Sequence, residues 1–270
     1  MPSKTESHAA ALNQLPLFDS HFHIIDRRFP LTASHGFSPS AFSCDDYLHS
    51  TQSFNVCGGA VVSGSFQGFD QSYLLAALNK LGPQFVGVTQ LPNAVSDEEI
   101  IHLHRAGVRA LRFNLFRNGH QQAKHLSRLA NRAFDLVGWH SEFYVDSRHL
   151  NDLYQTLINL PAVCIDHLGL SAEGLPCLLQ LVSRGVKVKA SGFGRLNFDI
   201  KPALKKIYLC NPSALMFGTD LPCTRSPRAF QTDDLRLITQ IFDEHSAKNI
   251  LCNNAIKFYK LPLSVSVVDN

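Results

Sequence analysis

The stretch Leu17-Phe18-Asp19-Ser20-His21-Phe22-His23 reads as a short strand with two histidines on one face, because successive strand side chains point to opposite sides. Two imidazoles so spaced, at the end of a buried strand, can grip one metal ion or one anionic substrate. An isolated H-x-H pair is more often incidental, so its meaning depends on what the chain brings beside it. The same stretch bears on the fold. An open, doubly wound sheet usually carries a glycine-rich phosphate turn after its first strand. Here the strand ends in His-Phe-His, and no G-x-G-x-x-G follows.

Working outward, a long loop at 26–45 contains Pro30, Gly36 and Pro39, and also His35 and Phe37. Loops of that length in compact domains tend to be lids or binding loops. After a short helix at 45–53 comes Val56-Cys57-Gly58-Gly59-Ala60-Val61-Val62-Ser63, a near-continuous apolar run that suits a strand covered on both faces. Strands are expected next at 84–90, 108–115, 142–146, 163–167, 186–191 and 215–220. Helices are expected at 71–81, 96–106, 121–137, 149–160, 175–183, 200–208, 233–245 and 254–259, with Ser96 and Glu99 forming a capping box. Eight strand-then-helix units without a composition break point to the α/β class and a single (β/α)8 TIM barrel. Its expected extent is 15–262, between a polar N-terminal tail at 1–14 and a C-terminal tail at 263–270.

Composition agrees. A chain of 270 residues with 45% hydrophobic content can bury a large core, and 17% charged residues is too few for a disordered chain. The net charge of +3 is slight and the basic residues are dispersed, which argues against nucleic acid. The longest apolar runs are too short for a membrane span, and residues 1–13 lack the apolar core of a signal peptide, so a cytoplasmic location is expected. None of the seven cysteines forms a C-x-x-C pair, and buried free thiols are the better reading.

In such a barrel the active site lies at the C-terminal ends of the strands. Those ends supply His21 and His23, Arg112 and Asn114, Tyr144 and Asp146, His167, Ser191 with Arg195 beyond it, and Asp220. Alternation in the fourth strand turns Leu111, Phe113 and Leu115 to the helices and Arg112 and Asn114 inward. An inward arginine needs a counter-charge. That could be Asp220, another protein carboxylate, or a substrate carboxylate held in a bidentate fork. With Arg117, Arg195, Arg225 and Arg228 also just beyond strand ends, an anion pocket is the better reading.

Phe18-Asp19-Ser20-His21-Phe22-His23, Val108-Arg109-Ala110-Leu111-Arg112-Phe113-Asn114, Ile165-Asp166-His167-Leu168-Gly169 and Phe217-Gly218-Thr219-Asp220-Leu221-Pro222 resemble the amidohydrolase superfamily. Within it they look most like the branch of 2-pyrone-4,6-dicarboxylate lactonases, as does the ending from Asn249 to Tyr259. In the superfamily the H-x-H pair, histidines on strands five and six and an aspartate on strand eight surround one or two divalent metals. A lysine or glutamate on strand four bridges binuclear sites. His21, His23, His167 and Asp220 match this pattern. Arg112 stands in place of the bridging group, and Tyr144 and Asp146 in place of the strand-five histidine, which removes the binuclear site.

The resemblance therefore implies a metal-free hydrolase of ester (lactone) bonds in aromatic degradation, with a small, carboxylated substrate. Asp220 would activate water as general base. His21, His23 and His167 would polarise the carbonyl. Arg112, Arg117, Arg195, Tyr144 and Asn114 would bind substrate. The alternative is a metal-dependent hydrolase or decarboxylase with one Zn or Mn on His21, His23 and Asp220, joined by Asp146 or His167. A second alternative is an inactive barrel that only binds an anion. Phe37 lacks the hydroxyl of the tyrosine in the corresponding lactonase loop. The sequence leaves the oligomeric state open.

Overall fold

The computed structural model describes residues 15–32, 36–118 and 123–261. Both expected tails, His35 and the start of the helix expected at 121–137 lie outside them. Eight parallel strands form one sheet in sequence order: β1 (Leu17–Phe22), β2 (Val56–Val62), β3 (Phe85–Thr89), β4 (Val108–Asn114), β5 (His140–Tyr144), β6 (Val163–Ile165), β7 (Lys187–Ala190) and β8 (Leu215–Phe217). The ends meet where Asp220 N donates to His21 O at 2.7 Å and His23 N to Leu221 O at 2.7 Å. Eight parallel strands brought round in this way, with helices between them, make the expected (β/α)8 barrel.

Two apolar cores follow. The larger lies between the strands and the outer helices and holds Trp139, Leu74, Leu178 and Leu204. The smaller fills the barrel with Phe18, Val62, Val88, Ala110 and Met216. Cys252, Ala255 and Tyr259 of the C-terminal segment belong to this inner cluster, so that segment closes the lower mouth and leaves the upper one for chemistry. The last turns are not one helix. A π-helical stretch, Asn249–Asn253, leads into the helix Asn254–Phe258.

Local signals explain most boundaries. Ser96 accepts from Glu99 N at 3.2 Å and starts the helix Asp97–Arg105. The helix expected at 233–245 is split into Thr232–Ile241 and Glu244–Lys248, because Asp243 caps a new helix by accepting from Ser246 N. The fifth strand runs His140–Tyr144 rather than 142–146, because Asp146 instead caps the turn Ser147–His149. In β1 the register shifts between Asp19 and Phe22. Phe18 faces the barrel interior while Phe22 stacks on Tyr47 outside, so plain alternation fails across the irregularity. His21 and His23 still end up together, with ring centroids 5.1 Å apart.

Candidate active site

Asp220 lies fully buried just beyond β8, and three imidazoles converge on its Oδ1. The Nε2 atoms of His23, His21 and His167 stand 3.6, 3.8 and 3.9 Å from it. His21 and His23 come from the end of β1, and His167 opens the turn after β6. Asp220 and His167 hold φ at 61° and 51°, in the left-handed region that non-glycine residues rarely adopt. Strain of that kind clusters at functional sites.

Arg195, in the turn after β7, donates from Nε to Asp220 Oδ2 at 2.7 Å. Burial alone would raise the Asp220 pKa, but Arg195, His167 and the other imidazoles hold it well below the usual carboxylate range. The Asp220–Arg112 pairing considered from sequence is not formed. Arg112 instead donates to Asp166 Oδ2 from Nε and Nη2 (3.3 and 3.1 Å) and to the Ser63 carbonyl at 2.7 Å. As alternation requires, Arg112 and Asn114 line the upper cavity while Leu111 and Phe113 join the outer core. That cavity, narrow and open to solvent, lies among His23, Arg112, Asn114, Tyr144, His167 and Arg195, with Phe66 and Arg225 on its walls. Arg225 also lies over the ring of Phe37, at 4.3 Å from the centroid, which brings the long loop to the rim.

Two expected participants stand apart. Asp146 is paired with Arg148, Nη2 to Oδ2 2.8 Å, and caps a turn, so it is no ligand to this centre. Arg228 is held by Asp234 at 2.8 Å. The Arg117 backbone follows β4, but its side chain lies outside the described residues.

The ring hydrogen bonds separate the histidines. His23 Nδ1 is 2.7 Å from the Val62 carbonyl, which only accepts, so Nδ1 carries the proton. With its Nδ1 proton held there, the ring turns Nε2 towards Asp220. Burial lowers the His167 pKa to about 4, the Asp220 carboxylate working the other way, and its Nδ1 lies 2.9 Å from Ser191 Oγ. Burial, then Lys189, lowers that of His21 well below the ordinary value.

Beneath these groups lies a set that sequence reading missed. Lys189 in β7 and Glu142 in β5 are both 0% exposed and paired with each other. Glu142 Oε1 also accepts from Tyr259 OH at 2.5 Å and lies 3.0 Å from His140 Nε2. The available signal was a polar residue at every second position, His140-Glu142-Tyr144 and Lys187-Lys189-Ser191.

His21 Nε2 and Asp220 Oδ1 are buried and make no hydrogen bond among the described residues. With His167, they bring three ligand atoms within 4.8 Å of one another. Two imidazoles and a carboxylate so placed are a donor set that fits one divalent ion.

A model of the amidohydrolase family matches residues 18–261. The chain is 25% identical over 232 residues to a 2-pyrone-4,6-dicarboxylate hydrolase of Comamonas testosteroni, covering 76% of each. A candidate 2-pyrone-4,6-dicarboxylic acid hydrolase of Pseudomonas putida superposes with TM-score 0.79 at 26% identity, over 92% of this chain and 98% of that one. A similarly described protein of Acinetobacter baumannii with citric acid bound gives TM-score 0.79 at 21% identity, over 90% and 99%.

Proposed function

The chain belongs to the amidohydrolase family, and on that premise we propose that it hydrolyses the ester bond of a small carboxylated lactone of the 2-pyrone-4,6-dicarboxylate class. The observation that carries this reading is a buried carboxylate, Asp220, ringed by three imidazoles and opening on a cavity walled by arginines.

In this reading Arg112 and Arg195 hold substrate carboxylates, with Tyr144 and Asn114 beside them and Arg117 beyond β4 as a further cation. Water attacks the ring carbonyl and gives its proton to Asp220, with His23 Nε2 beside it. Nε2–H groups of His21 and His167 stabilise the oxyanion. The ring C–O bond then breaks, and its oxygen takes up the proton that Asp220 received from the water. Asp220 is a weak base while Arg195 sits on it. A substrate carboxylate that draws Arg195 away raises its basicity when the water is in place.

The test is hydrolysis of 2-pyrone-4,6-dicarboxylate followed by loss of ring absorbance. Turnover that survives chelation and disappears in Asp220→Asn supports this function. No turnover with this or other carboxylated lactones overturns it.

A second reading is favoured by the unpartnered His21 Nε2 and Asp220 Oδ1. A single Zn²⁺ or Mn²⁺ held by His21, His167 and Asp220 would supply Lewis-acid polarisation of a bound carbonyl, for hydrolysis or decarboxylation. One bound metal per chain, with activity lost on chelation and restored by that ion, distinguishes it.

A further inference from the structure

Lys189 places its ammonium group in the barrel interior. Its side chain is 0% exposed, and its Nζ contacts Glu142 Oε2 and lies 3.4 Å from His21 Nδ1 and 3.8 Å from Asp166 Oδ1. His21, Glu142 and Asp166 bring ligand atoms within 4.8 Å of one another, the clustering expected around a metal. Here the lysine's own cation stands against all three.

An ammonium only donates, so its hydrogen bond obliges His21 Nδ1 to accept. Asp166 Oδ1 lies 3.4 Å from the same Nδ1 and would demand the opposite, but it makes no hydrogen bond among the described residues. The neutral imidazole must then carry its proton on Nε2, which faces Asp220 Oδ1 at 3.8 Å. We propose that Lys189 is a positioning residue: it replaces a cation among His21, Glu142 and Asp166 and fixes the His21 tautomer that presents Nε2–H to the reaction centre. His21 thereby carries its proton on Nε2, whereas the Val62 carbonyl holds that of His23 on Nδ1. Nε2 so protonated is also withdrawn as a metal ligand.

The inference deepens the lactonase reading by giving His21 its donor role, yet its test needs no turnover. In protein labelled with 15N-histidine, imidazole 15N–1H correlations of the wild type and His21→Gln identify His21 among the 13 histidines. We expect a bare Nδ1 and a protonated Nε2. A proton on Nδ1 overturns the proposal and returns Nε2 to the role of ligand. In Lys189→Met with Glu142→Gln, which removes one charge of each sign, the His21 proton should move to Nδ1 and kcat should fall about 10- to 100-fold with KM little changed. A folded double variant with an unaltered His21 spectrum also overturns it. Should that variant not fold, the wild-type spectrum decides alone.

Discussion

Asp220 combines three properties in one residue: a left-handed backbone at φ 61°, complete burial, and an oxygen without a hydrogen bond among the described residues. Asp220→Asn keeps the shape and removes the negative charge. We expect kcat to fall roughly 10²- to 10⁴-fold, the range for loss of a general base, with the circular dichroism spectrum unchanged. Loss of less than tenfold would mean that Asp220 is not the general base. His167 carries a pH prediction. Its folded pKa of about 4 lies below the ordinary 6.5, so between these values the unfolded chain binds more protons. The stability His167 contributes is complete above 6.5 and is lost as pH falls towards 4. Asp19 works the other way, since burial, against four hydrogen bonds, raises it from 3.8 to about 6. The two windows overlap, so the wild type alone does not separate them. Urea midpoints near neutral pH and at about pH 4.5 should show that His167→Gln loses less on acidification than the wild type.

At the scale of elements, the join between β1 and β8 decides whether the site exists. Asp19 spans it, accepting from Thr219 N at 2.8 Å, Thr219 Oγ1 at 2.7 Å and Tyr47 OH at 3.2 Å. Thr219→Val leaves one buried carboxylate oxygen short of a donor. It should cost about 1–3 kcal/mol in denaturant unfolding. An unchanged midpoint would mean that Asp19 is satisfied without the hydroxyl. The turn after β7 is similarly constrained. Gly192 has φ +61°, and a Cβ there would lie 2.5 Å from His167 Nδ1. Gly192→Ala should therefore displace that imidazole and lower kcat at least about tenfold, because small misplacements of catalytic groups are costly.

At the scale of the whole molecule, three cations at the strand ends each stand against a buried carboxylate. Arg112 pairs with Asp166, Lys189 with Glu142, and Arg195 with Asp220. A buried pair broken on one side typically costs several kcal/mol, which gives each strand end a stake in its neighbour's charge. In the metal-free mechanism, extended dialysis against a chelator should leave both turnover and thermal midpoint unchanged. A midpoint that falls on chelation and recovers with Zn²⁺ would show instead that the folded barrel binds the ion.

Sequence by itself determined the repeating strand–helix order, the placing of His21, His23, Arg112, His167 and Asp220 at strand ends, and the family to which the chain belongs. These are local matters: alternation, caps and short motifs survive in the order of residues. Partner choice is not local. Arg112 found Asp166, 54 positions away, and Asp220 found Arg195, 25 positions away, because the ring of strands brings their ends together. Asp146 was lost to a neighbouring arginine and a helical turn. Glu142 and Lys189 look in sequence like ordinary strand polars. Only closure of the barrel, which removes water from both, makes them a pair and sets Lys189 against His21.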